Sequence, residues 1–204
     1  GFVVAGREPA SMPEVAPRNE IVVSAGGGAV CIGILAAALA ARNQSRHGHL
    51  LWRVLAGPNV SADDFQRLLR DAGPGAVVER SREDFAALLD RALVSVSQAG
   101  YNTALDVVRS GARPVLVPYA AHGETEQRTR AGRLRDLGLA VVVDEADVTP
   151  AALARAIDLA ASREQWPRWD FECDGAARSA ALIAGLIEGA TTDSSGATRA
   201  GRAA

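Results

Sequence analysis

The chain has 204 residues, enough for one α/β domain with a full core. Its formal net charge of −2 points away from a nucleic-acid partner. All 22 basic residues are Arg, which removes every P-loop and Schiff-base lysine, and no apolar run reaches the length of a membrane span.

The chain opens at Gly1-Phe2-Val3-Val4 without Met, and Arg7 to Asn19 carries Pro9, Pro13, Pro17 and mixed charges. This predicts an interdomain linker over 1–19, entering from a preceding part of a larger protein. Ile21 to Ala25 is the first strand, followed by Gly26-Gly27-Gly28 and a helix to about Arg42. Leu50 to Ala56 is the second strand, and Ser61 caps a helix running to about Ala72. Ala76 to Glu79 is the third strand, followed by a short helix from Asp84 to Arg91. Leu93 to Ser97 is the fourth, and the helix after it is closed by Gly111. Pro114 to Pro118 is the fifth strand, with a helix from Glu124 to Leu137 stopped by Gly138. Ala140 to Val143 is the sixth, and Thr149-Pro150 starts a helix to about Ala161. A last helix runs from Gly175 to Ile187. The domain is placed at 20–189, and the Ser, Thr, Gly and Ala of 190–204 read as a disordered tail. Cys31 and Cys173 share no motif and read as reduced thiols of a cytoplasmic chain.

This alternation predicts an α/β fold of Rossmann-like, three-layer α/β/α form, with a mostly parallel sheet of about six strands. Ligands on such sheets bind beyond the carboxyl ends of the strands, near the reversal in strand order. Four loops fall at that edge: Gly26 to Gly28, Glu79-Arg80-Ser81, Ser97 to Asn102, and His122 to Gln127. The glycine turn argues against a dinucleotide site. It lacks the third glycine of the fingerprint, and no Asp or Glu ends the second strand. The glycines suit either a close-lying phosphate or a tight turn that packs helix on strand.

The informative stretch is Ser97-Gln98-Ala99-Gly100-Tyr101-Asn102-Thr103-Ala104-Leu105-Asp106. Small residues between a buried strand and a helix let backbone approach a ligand. The free N–H groups and positive dipole end of that helix favour an anion, phosphate above all. Asp106 lies one helical turn beyond Thr103, placed to accept hydrogen bonds from sugar hydroxyls, with a solvated Asp as the plain alternative.

That stretch, together with Gly111-Ala112-Arg113-Pro114-Val115-Leu116-Val117-Pro118, Glu124-Thr125-Glu126-Gln127 and Arg130-Ala131, resembles the C-terminal half of family 28 glycosyltransferases. The group includes the MurG-type enzymes, which move N-acetylglucosamine from UDP. The Ala-Gly-Tyr-Asn-Thr form is similar to a less characterised branch of predicted glycosyltransferases. The resemblance runs from about Ile21 to Ile157. It implies one half of a GT-B fold that binds the nucleotide-sugar donor. Gly26, Gly27 and Gly28 would lie near the diphosphate. Arg80 and Ser81 would reach the base, largely through backbone. Ser97, Ala99, Gly100, Tyr101, Asn102 and Thr103 would form the phosphate end. Asp106 stands where the family usually has a Glu that holds the ribose hydroxyls, and Glu126 and Gln127 match the pair facing the donor sugar.

The resemblance further implies inverting hexosyl transfer, from a UDP-sugar, to an acceptor hydroxyl, with no tightly bound metal or cofactor. The acceptor pocket and general base would belong to an N-terminal domain of the same protein, leaving this fragment inactive alone. A sugar-nucleotide epimerase of the same fold and a non-catalytic nucleotide-binding or partner module are the alternatives. His122 falls in the loop after the fifth strand and is a candidate to touch the phosphate, with a plain loop residue as the alternative. His47 and His49 read as solvated, Trp52 as a packing residue, and Trp166-Pro167-Arg168-Trp169 as packing on the missing half. Arg128, Arg130, Arg133 and Arg135 read as a solvated helix face, with peripheral contact to an acidic lipid at the membrane as the alternative.

Overall fold

The continuous apolar run Ile21-Val22-Val23 lies in a central strand, Glu20 to Ala25, buried on both faces, and five further runs add to it. The computed structural model describes residues 18–26, 32–163, 166 and 175–196, with backbone alone at 122, 175, 176 and 188–196. The strands are β1 (Glu20–Ala25), β2 (Leu51–Ala56), β3 (Ala76–Arg80), β4 (Ala92–Ser97), β5 (Arg113–Leu116) and β6 (Val141–Val142). The helices are α1 (Ile32–Ala41), α2 (Ala62–Asp71), α3 (Phe85–Arg91), α4 (Tyr101–Ser110), α5 (Glu126–Asp136), α6 (Pro150–Ser162) and α7 (Gly175–Gly196). The sheet order is β3-β2-β1-β4-β5-β6, and every pairing is parallel. This is the Rossmann-like architecture expected, and the order reverses between β1 and β4, where Ser24 lies beside Ser97.

Period-two alternation divides the core. Ile21, Val23, Trp52, Val54, Val94 and Val96 face one layer, with Leu35 of α1, Leu68 of α2 and Leu153 of α6. Val22 and Leu55 face the other, under Leu88 and Leu89 of α3 and Val107 of α4. Leu116 continues that layer beneath Ala104 of α4 and Leu134 of α5. The helix ends follow local chemistry. The Ser61 hydroxyl accepts from the Asp64 N–H at 3.1 Å, and the Thr149 hydroxyl from the Ala152 N–H at 3.1 Å. Gly111 closes α4 at φ +76°, and Gly138 follows α5 at φ +73°.

Some boundaries differ from those predicted. β5 begins at Arg113 and ends at Leu116, although the Val117 N–H still bonds the Ser97 carbonyl at 2.8 Å. α5 begins at Glu126 rather than at Glu124, after a 3-10 turn, Ala121–Gly123, that leaves Glu124 extended. Gly123 adopts φ +77°, which a helix cannot continue through. The last helix extends to Gly196, past Ile187.

The chain divides into two compact units, Val15–Trp169 and a second formed by Gly1–Glu14 with Asp170–Ala204. The sheet and α1 to α6 belong to the first. α7 belongs to the second and carries exposed Leu182, Ile183 and Leu186. No described helix is long and apolar enough to cross a membrane.

Candidate functional site

The carboxyl ends of β1, β2 and β4 meet closely. A Cβ on Gly57, just after β2, would stand 2.7 Å from the Gly26 carbonyl oxygen, so the two strand ends approach at a distance only glycine permits. A Cβ on Gly26 would stand 3.1 Å from the Oε1 of Gln98, which reaches across from the end of β4. Gly27 and Gly28 lie outside the described residues.

β4 ends at Ser97, which is wholly buried with its hydroxyl unpartnered among the described residues, and the Ser24 hydroxyl of its register partner is unpartnered too. The turn Gln98–Gly100 then delivers the chain to α4. Gly100 is the N-cap, with φ −57° and ψ 151°, and no side chain caps the first turn. Around Gly100 the nearest atom to a built Cβ is the Thr103 hydroxyl at 3.9 Å, so the approach to the helix end is open. Uncapped N–H groups at the end of a ten-residue helix form a ready anion seat. Asn102 and Asp106 are exposed on α4, and Tyr101 and Thr103 are half-buried.

Arg130 holds this turn in place. It is 9% exposed, donates to the Ala99 carbonyl at 2.6 Å, pairs with Glu126, and lies 5.3 Å from the Tyr101 ring centroid. The reading of Arg128, Arg130, Arg133 and Arg135 as one solvated face is therefore wrong at Arg130. A buried carbonyl across space, invisible in the charge pattern, draws that guanidinium inward. Arg135 pairs with Asp136 at 3.2 Å.

The remaining loops are shaped by side chains turned onto backbone. Gln127 Oε1 accepts from the Tyr119 N–H at 3.2 Å, and Glu145 from the Ala120 N–H at 2.9 Å, fixing the path after β5. Glu126 is exposed and carries its pair with Arg130. His122 falls in the Ala121–Gly123 turn, and its side chain lies outside the described residues.

Arg80 donates to the Val60 carbonyl at 2.7 Å and stacks 4.2 Å over Phe65, while the Ser81 N–H extends the ladder to the Ala56 carbonyl at 2.9 Å. Arg82 forks onto Asp84 at 2.7 Å and reaches Glu79 at 3.2 Å. Burial pushes the Glu79 carboxyl up, but hydrogen bonds from Arg53 and Arg82 outweigh it and leave the group below its ordinary range. Arg80, Arg82 and Arg130 are thus all engaged by the protein itself. Among the described residues no group of three or more His, Cys, Asp or Glu is placed to hold a metal.

Other side chains read as inert are structural ties. Asp158 of α6 accepts from the Ser45 hydroxyl at 2.6 Å and stands 3.2 Å from His47 Nδ1, so His47 is pinned rather than solvated. The exposed His49 has its Nδ1 3.1 Å from the Arg46 carbonyl oxygen. Trp52 is buried, as predicted, and its indole donates to the His47 carbonyl at 3.1 Å. Trp166 packs against the core of its own unit, beside Arg163, and 167–169 lie outside the described residues. Arg18, assigned to a linker, donates to the carbonyls of Leu89, Ala92 and Ser110 at 3.1, 2.8 and 2.5 Å, holding the ends of α3 and α4. Burial lowers its pKa, with Asp90 opposing.

Residues 54–170 match the model of the glycosyltransferase family 28 C-terminal domain, more than half of the chain. The chain belongs to this family.

Curated relatives agree. The UDP-N-acetylglucosamine--N-acetylmuramyl-(pentapeptide) pyrophosphoryl-undecaprenol N-acetylglucosamine transferase of Thermotoga neapolitana is 33% identical over 76 residues, 37% of this chain and 22% of the relative. The enzyme of the same name from Desulfotalea psychrophila is 32% identical over 102 residues, 50% of this chain and 28% of the relative. The chain thus spans about a quarter of the length of the curated relatives it matches.

Among solved structures, the glycotransferase of kitacinnamycin aligns with a TM-score of 0.58 at 21% identity, covering 80% of this chain and 41% of that one. The glycosyltransferase VinC, solved with dTDP, aligns at 0.57 and 20% identity, covering 76% and 37%. Acinetobacter baumannii MurG aligns at 0.50 and 20% identity, covering 78% and 49%. These likenesses establish the fold, one Rossmann-like half with GT-B enzymes as neighbours.

Proposed function

We propose that this family 28 domain binds the nucleotide-sugar donor of a glycosyltransferase that moves a hexosyl group, from a UDP-sugar, to an acceptor hydroxyl with inversion. The observation that carries the reading is the uncapped N-terminus of α4, seated beside buried, unpartnered Ser97 at the β1/β4 reversal. Family membership and the names of the relatives support the reaction class. The diphosphate would lie against the Gly100 turn, the ribose hydroxyls against Asp106, and the sugar toward the Gly123 to Gln127 segment. The base would lie over the ends of β2 and β3.

The acceptor oxygen attacks the anomeric carbon as the bond from that carbon to the diphosphate oxygen breaks. The leaving diphosphate gains negative charge, and the α4 N–H groups stabilise it where they already point. Each such donor contributes about 3 kcal/mol. In this reading those donors take the part a tightly bound metal would play. The base that removes the acceptor proton belongs to an N-terminal partner domain, and the setting is the cytoplasm.

Calorimetry with UDP, GDP, ADP and dTDP tests the reading. Binding of at least one, with dissociation constants of roughly micromolar to millimolar, is expected. A folded chain that binds none at millimolar concentration overturns it.

A further inference from the structure

We propose that His47 and His49 together bind a divalent transition-metal ion, at the edge of the sheet opposite the proposed donor site. The two flank Gly48 in the segment between α1 and β2, at the amino end of the parallel strands. The Nδ1 of His47 lies 3.2 Å from a carboxylate oxygen of Asp158, and the Nδ1 of His49 lies 3.1 Å from the Arg46 carbonyl oxygen. Neither oxygen can donate, so each Nδ1 carries the proton. That tautomer leaves the Nε2 of each neutral ring as an unprotonated acceptor. An imidazole held by an oxygen acceptor through one nitrogen is the arrangement that metal-ligating histidines use.

The two ring centroids stand 6.2 Å apart, with the planes 30° from parallel. With metal–nitrogen bonds of about 2.0–2.1 Å, two imidazoles sharing one ion have centroids roughly 5–6.5 Å apart, so the pair closes on an ion with little movement. The loop is fixed beforehand. The Ser45 hydroxyl accepts from the His47 N–H at 3.0 Å and donates to Asp158 at 2.6 Å. The His47 carbonyl accepts from the Leu50 N–H and the Trp52 indole, both at 3.1 Å. A side chain at Gly48 would run into the Arg42 carbonyl oxygen, so a close turn sets the spacing of the pair. His47 is half-buried and His49 exposed, which lets an ion reach them from solvent. Imidazole donors suit copper(II), nickel(II) and zinc(II) over calcium and magnesium. Two protein ligands leave the other positions to water, so the ion exchanges instead of building the fold. Asp158 acts through His47, as a positioning residue.

The test is calorimetry on the full chain with copper(II) and with zinc(II), in a Cys31→Ser, Cys173→Ser background that removes the two thiols as competing ligands. One saturable site is expected, with copper(II) held more tightly than zinc(II). His47→Gln and His49→Gln should each weaken it about tenfold or more, and Asp158→Asn about tenfold, the usual loss when the partner of a ligating imidazole is changed. Thermal melts confirm that each variant is folded. Electron paramagnetic resonance of the copper(II) form should show coupling to two imidazole nitrogens, a signature that a merely structural loop would not give. NMR of the metal-free chain should find both rings protonated at Nδ1. A parent chain with no saturable binding at millimolar ion overturns the proposal. So does a loss in only one of the two histidine variants, which leaves a single imidazole contact, or unchanged binding in both.

Discussion

The Arg130 guanidinium donates to the Ala99 carbonyl at 2.6 Å, and through this one contact α5 holds the turn that begins α4. Its second partner, Glu126, lies one turn back on the same helix, and the Tyr101 ring stacks nearby. Arg130→Met keeps the apolar stem and leaves the carbonyl unpaired, which should destabilise the protein by about 1.5–3 kcal/mol. Arg130→Lys should recover only part, because a point charge lacks the planar fork. Thermal and denaturant melts of the two variants check this, and a Met variant as stable as the parent would show the tie to be dispensable.

Asp158 links α6 to the loop before β2. It accepts from Ser45 at 2.6 Å and from the Arg46 N–H at 3.1 Å, and faces His47 at 3.2 Å. Burial pushes its carboxyl up, but these donors prevail and hold it below the ordinary carboxylate range. A folded value below the unfolded one, about 3.9, gives stability that is present above that pH and lost as pH falls through the folded value. Asp158→Asn should therefore cost about 1–2 kcal/mol at neutral pH. Its deficit against the parent should shrink below about pH 4. Urea titrations at several pH values read this directly, and a deficit that does not change with pH would contradict it.

Local chemistry made much of the fold legible. The caps at Ser61 and Thr149, the stop at Gly111, and the apolar runs of β1 and β4 each act within a few residues, so the sequence displays them. The start of α4 was legible for the same reason. Strand order was not, because nothing in the runs says which neighbour each will choose. Ties across long separations were also hidden. Ser45 and His47 meet Asp158 more than a hundred positions away, Arg18 reaches three carbonyls on two helices, and Arg130 looks like its exposed neighbours until the Ala99 carbonyl is seen.

Gly57 tests whether the strand ends must meet closely. A Cβ there would stand 2.7 Å from the Gly26 carbonyl oxygen, a backbone atom that cannot rotate away. Gly57→Ala should cost about 1–3 kcal/mol and weaken nucleotide binding by moving Gly26. A Cβ on exposed Gly33 in α1 would meet nothing within 4 Å beyond its own helix turn, and Gly33→Ala should be neutral or stabilising by up to about 1 kcal/mol. Parallel melting and nucleotide titrations of the two variants separate steric crowding from a general glycine effect. Equal behaviour of the pair would discount the close approach.

Asp106 gives the sharpest test of the donor site. It is exposed on α4, one turn beyond Thr103, on the helix whose N-terminus is assigned to phosphate. A carboxylate there that accepts from the ribose diol contributes about 1.5–3 kcal/mol through a charged hydrogen bond. Asp106→Asn should weaken nucleotide binding roughly ten- to a hundredfold. Its melting temperature should stay close to the parent's, because an exposed helix position carries little packing. The preference for a ribonucleotide over its 2′,3′-dideoxy counterpart should flatten in the variant, since the lost contacts are those to the diol. Asp106→Glu should be tolerated, because the longer acid keeps the charge and reaches the same hydroxyls. If Asp106→Asn binds ribonucleotide as the parent does, the ribose lies elsewhere and the carboxylate serves only α4.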